Sequence, residues 1–356
     1  MTVLSKWQRE YRRLTDFVSG NPEVVISNDL ISIPSDVRTE FYHLFDTVRV
    51  AFLKERFPNL LNEAGVLSGS YINAELDVAS SLPGINVTAL PFQLNMFLHN
   101  PTEGLIRVLH EPLFDLLKGK MDIEVFSQEV SSDILATFEK LYQTGYGRWI
   151  VLSLVKILRS DIILEVNIPS LINMSPREED KKEIEVPIPR QTKQLSFYHE
   201  NASVLTVPDF IVHSDEVNGY IAFRSEFSLA PWKASNISEH RDWYSNHFLA
   251  DLEPRLILIY VADKPEEISL VADSEVICRP DLVIEFREQR SWYKKEEVDK
   301  IKSNHNDLKP KLGTYILSRA SILEPILEEL VDGIRLLTIG FDQFKIVSII
   351  DAFMRF

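Results

Sequence analysis

The chain has 356 residues, with 38 Lys and Arg against 53 Asp and Glu, a formal charge of −15. That length suits two domains and a sizeable core, and the negative balance excludes a surface built throughout for nucleic acid. One cysteine, Cys278, rules out an internal disulfide framework and a cysteine zinc cage.

The first seventeen residues lack the apolar core of a signal peptide. The longest apolar run, 149–158, is interrupted by Lys156 and is too short to span a bilayer. The expectation is a soluble, cytoplasmic protein that does not enter the membrane.

Residues 1–145 read mainly as helices. In 35–58, Val37, Phe41, Leu44, Phe45, Val48 and Phe52 fall at helical spacing, with Ser35 as N-cap and Pro58 as stop. Residues 105–120 form a second helical run, broken or kinked at Pro112. A third, 131–145, starts at Ser-Asp and stops at Gly145. The piece 66–104 reads as less regular.

From 146 the pattern changes to α/β. A buried helix (149–160) leads to a strand (162–169), then to a charged, proline-bearing excursion (174–193). Strands follow at 203–212, 219–228, 255–263 and 275–286, with a helix at 238–250. Two more helices, in 291–308 and 324–337, precede a last apolar segment, 344–354, that suits strand or helix. The fold class is thus α/β (α+β overall): a helical N-terminal domain, 1–145, then a mixed β-sheet flanked by helices, 146–356. "LILIYVA" is apolar on both faces, as in a covered central strand.

The stretch 207–228, "VPDFIVHSDEVNGYIAFRSEFS", carries the strongest candidate chemistry. Alternation puts Ile221, Phe223, Phe227 and Leu229 on one face, and Arg224, Glu226 and Ser228 on the other. If the two strands pair, Asp209 and Glu226 share a side. Two carboxylates meeting at a strand end suit Mg²⁺, which activates water and stabilises charge on a phosphodiester.

The order of helix, strand, strand with Pro208-Asp209, strand with Glu226, helix and strand resembles the core of the PD-(D/E)XK nuclease superfamily. It covers about 150–265. The resemblance implies a restriction-endonuclease-like core, with Asp209 and Glu226 binding Mg²⁺ for hydrolysis of DNA. The family's Lys falls on Ser228, which carries no charge. Arg224 or Lys233 stands in reach of that role; without a substitute, the resemblance implies a relative that has lost catalysis. A non-enzymatic scaffold that binds another protein is the alternative.

A second Pro-Asp opens "RPDLVIEFR", which puts Asp281, Val283, Glu285 and Arg287 on one face. It reads either as a second acidic strand or as an amphipathic edge strand with its charges in water. The stretch 287–311 holds eight Lys and Arg against five acids. Arg287, Arg290, Lys294 and Lys295 are its candidate phosphate contacts, and a solvated mixed-charge helix is the other reading. A smaller basic cluster is Lys6, Arg9, Arg12 and Arg13 around Trp7 and Tyr11.

No HExxH pair or GxSxG elbow occurs. His240 and His247, with Glu239 or Asp242, suit zinc or a shared polar face. His213 suits a place beside a metal or a strand-end hydrogen bond. Trp232, Trp243, Tyr244, Trp292 and Tyr293 suit base stacking or the core.

Overall fold

The computed structural model describes residues 4–27, 30–82, 84–85, 87–166, 189–197, 208–229, 252–268, 279–289, 292–321, 330 and 332–353. The protein is mixed α/β. It divides into two compact units, Met1–Ile72 with Phe92–Gly145, and Asn73–Pro91 with Tyr146–Phe356.

The first unit is helical. Helix α1 (Lys6–Gly20) opens on a capping box, in which Ser5 and Gln8 satisfy each other's backbone N–H. Its Trp7 is buried edge-on against Phe52, ring centroids 5.1 Å apart, so this aromatic belongs to the core and not to a basic patch. A two-stranded ribbon, β1 (Val25–Ile26) and β2 (Ile31–Ser32), precedes helix α2 (Arg38–Arg56). Val37, not Ser35, stands at the α2 N-cap, and no side chain caps it.

Pro58 ends α2 and begins α3 (Pro58–Ser81), since its missing N–H costs nothing in a first turn. The expected irregular stretch 66–104 is therefore largely helix: α3, α4 (Phe92–His99) and α5 (Pro101–Ile106), with a short strand β3 (Val87–Ala89). The run 105–120 breaks at a 3₁₀ turn (Arg107–Leu109) and not at Pro112, which lies in the first turn of α6 (His110–Leu117).

Helix α7 (Ile123–Ile157) continues through Gly145, which the sequence reads as a stop. The glycines serve packing instead. A Cβ at Gly145 would lie 2.8 Å from Leu98 Cδ2, and one at Gly147 would lie 2.6 Å from the Phe286 ring.

The second unit is built on an eight-stranded sheet. Its strands are β4 (Ser160–Val166), β5 (Pro189–Thr192), β7 (Phe210–Ser214), β8 (Gly219–Ser228), β9 (Leu252–Ala262), β10 (Leu282–Arg287), β11 (Thr314–Ser318) and β12 (Ile334–Thr338). The order is β12-β11-β10-β9-β8-β7-β4-β5. The pairs β10–β11 and β11–β12 are parallel, and the rest of the ladder is antiparallel. A small strand β6 (Gln194–Ser196) pairs with β3.

Helix α8 (Lys295–Leu308) makes the crossover from β10 to β11 and packs Val298 and Ile301 on Ile316 and Ile334. Residues Tyr146 and Gly147 of α7 meet Phe286 from the other face. Residues 334–338 are strand, where the sequence suggests the end of a helix, and 347–353 form helix α9 (Val347–Phe353). The expected helix 238–250 lies outside the described residues.

β10 is not an edge strand. It sits between β9 and β11, and all six of its residues are buried. Its charged face, Asp281, Glu285 and Arg287, is therefore in the interior and not in water.

Candidate functional site

Among the described residues, four carboxylates of the sheet are buried: Asp209, Asp281, Glu285 and Glu288. Each one is held by a partner from this chain.

Asp209 lies just before β7, where its N–H donates to the Phe223 carbonyl. One carboxylate oxygen accepts from the Ser225 N–H at 2.9 Å and the Ser225 hydroxyl at 2.5 Å. The other faces Arg224 Nη1 at 3.5 Å, and both side chains of that ion pair are about 5% exposed. Arg148 of α7 donates to the Ser225 hydroxyl from the far side and covers the Phe197 ring. Asp209 therefore anchors the start of β7 to β8 through a buried network.

Glu226 follows Ser225 on β8, and its side chain lies outside the described residues. The ladder with β9 shifts between Ser225 and Phe227, across from residues 254–256, of which Pro254 lacks a backbone donor. Phe227 and Leu229 consequently pack with Ala222, Ile211 and Leu258 and do not continue the Ile221 and Phe223 face. The strict alternation that placed Glu226 on the Asp209 side is interrupted at that point. Arg224 is buried against Asp209, and Lys233 lies outside the described residues.

On β10, Asp281 accepts from the Val261 N–H at 2.7 Å and from Lys311 Nζ at 2.6 Å. Glu285 lies four residues further along, roughly 13 Å away at strand rise. Those two carboxylates do not converge on one ion.

Glu285 pairs with Arg287, and both are about 2% exposed. Burial pushes the Glu285 carboxyl above the ordinary carboxylate range; Arg287 and then the Asn304 side chain oppose that, and Glu253 adds to it. Asn304 interrupts the apolar stripe Val298, Ile301 and Leu308 of α8 and lies beside the carboxylate. Even so, Glu285 Oε2 and Asn304 Nδ2 make no well-formed hydrogen bond. Glu288 takes a two-pronged contact from Arg255, at 3.0 and 3.3 Å.

Among the described residues, the expected phosphate contacts do not form one exposed basic face. Arg287 is buried between Glu285 and Glu297. Lys300 is bound to Glu253 at 3.0 Å, and Lys311 to Asp281. Lys294 and Lys295 are exposed, followed at once by Glu296 and Glu297, and Arg290 lies outside the described residues. Trp292 is a core residue whose indole N–H donates to Ser318 at 2.9 Å, while Tyr293 is exposed. Trp232, Trp243, Tyr244, His240, His247 and Cys278 lie outside the described residues.

At the opposite end of β7, His213 Nδ1 lies 2.7 Å from Asp161 Oδ1. Its ring also packs, tilted, against Tyr220, the residue across the ladder, with centroids 5.0 Å apart. Asp161 carries no motif, and the sequence gives no signal for it.

Comparison with protein-family models, with curated proteins and with solved structures finds no match. No described helix is long and apolar enough to cross a membrane.

Proposed function

We propose that the chain is a non-catalytic protein-binding module on a nuclease-like α/β core, a relative of the PD-(D/E)XK group that has lost hydrolysis. One observation carries the reading: among the described residues, each buried carboxylate of the sheet is already held by a donor or cation of this chain. A metal centre needs carboxylate oxygens that face one another with their lone pairs open. The oxygens of Asp209 are engaged by Ser225 and Arg224, so it does not fit the Mg²⁺ that the resemblance implies.

The partner class follows from charge. At −15, with its lysines interleaved with glutamates along α8, the chain suits a protein partner better than a phosphate backbone. Exposed Phe344 and Leu76 in the second unit supply apolar surface for such a contact.

The test is cleavage of single- and double-stranded DNA in Mg²⁺ and in Mn²⁺ by wild type, Asp209→Ala, Glu226→Ala and Glu285→Gln. Equal, background-level product from all four is expected. Metal-dependent product from wild type that disappears in any one variant would overturn the reading.

The unpartnered Oε2 of Glu285 favours a second reading, in which a divalent ion sits on β10 beside Glu253. Selective loss of cleavage in Glu285→Gln, with Asp209→Ala only destabilised, would establish it.

A further inference from the structure

Asp161, His213 and Asp215 each offer one ligand atom, and these atoms all lie within 4.8 Å of one another. We propose that they form a binding site for a first-row divalent transition metal, Zn²⁺ above all, independent of the buried carboxylates Asp209, Asp281, Glu285 and Glu288.

The fold builds this triad from two segments that are tied together. The β4–β7 ladder shifts between Ser160 and Ile162, pairing Ser160 with Ser214 and Ile162 with His213. Asp161 is the residue left over in that bulge, preceded by Arg159 at φ 46° in the left-handed region. The extra residue brings its carboxylate to the His213 ring at 2.7 Å.

Asp215 comes from the turn that follows β7. Ser214 fixes the start of that turn, since its hydroxyl donates to the Leu158 carbonyl and accepts from the Val217 N–H. Arg159 and Glu216 close a second link between the segments at 2.8 Å. The Tyr220 ring packed on His213 holds the imidazole in place.

The ligand chemistry selects the metal. Tetrahedral zinc, with bonds of about 2.1 Å, needs ligand atoms about 3.4 Å apart. The three ligand atoms, all within 4.8 Å of one another, would reach that spacing by side-chain adjustment. An imidazole with two carboxylates suits zinc, whereas Mg²⁺ prefers oxygen ligands and retains its waters. Asp161 is 46% exposed and His213 23%, which leaves a fourth position for water.

The probe is Zn²⁺ alone, read by thermal melting of the full chain and, separately, by the visible spectrum on Co²⁺ substitution. Wild type is expected to melt about 5 °C higher in excess zinc. His99→Gln, a change in the other unit, should keep that shift, while Asp161→Asn and His213→Gln should lose it together with the cobalt spectrum. Asn at 161 can still hydrogen-bond His213, so that variant decides the matter even if His213→Gln unfolds. No zinc shift in wild type, or an equal shift in Asp161→Asn, would overturn the site.

Discussion

Asp209 accepts the Ser225 backbone N–H at 2.9 Å, so the acidic residue with the strongest claim to catalysis fastens two neighbouring strands. Asp209→Ala should therefore act on stability. It leaves Arg224 buried beside an empty place and frees a backbone donor. A loss of about 3–5 kcal/mol in urea unfolding is expected. A loss below about 1 kcal/mol would show that the network contributes little.

Glu285 should make the fold sensitive to pH in an unusual direction. Its folded-state pKa is raised, so between the ordinary carboxylate value and that raised value the folded chain binds more protons than the unfolded one. The contribution of this group is therefore full at low pH and declines as pH rises through that window. Glu285→Gln removes the titration. The stability difference, wild type minus variant, should fall as pH increases from about 4.5. A difference that stays constant with pH would contradict the burial argument.

Two glycines separate close packing from helix propensity. A Cβ at Gly104 of α5 would lie 2.6 Å from the Phe97 Cα, so Gly104→Ala should cost about 1–3 kcal/mol. Gly65 is exposed in α3 with nothing near its Cβ position, so Gly65→Ala should add up to about 1 kcal/mol. Chemical unfolding of both variants checks the pair of signs.

The α/β class and the strands β4, β7, β8, β9 and β10 can be read from composition shifts and apolar runs, because those signals are local, whereas β5 and β11 fall outside the expected strands and β12 inside an expected helix. What escapes the sequence depends on partners far along the chain. "DLVIEF" alternates like a half-exposed strand, yet β11 and α8 bury its acidic face, with Arg287 and Asn304 as company. Gly145 resembles a helix stop only until Leu98 is seen against it. Glu226 follows period 2 on paper, but the ladder with the next strand shifts there, across from residues 254–256. Asp161 gains its place through a bulge, and no residue pattern announces one.

Removing the two exposed lysines at the start of α8 should change little in DNA binding. Lys294→Ala with Lys295→Ala should leave retention on a DNA column unchanged at physiological salt, since Glu296 and Glu297 already offset that end. A marked, salt-sensitive drop in retention would restore the phosphate-contact role.

The most direct measurement is a Mg²⁺ titration followed by the melting temperature of wild type. Asp209 is already engaged by Ser225 and Arg224, and Glu285, with one open oxygen, is paired with Arg287 of its own chain, so on the proposed reading the melting temperature should stay constant across the titration. A saturable rise that vanishes in Asp209→Ala or Glu285→Gln would show instead that a sheet carboxylate is a metal ligand.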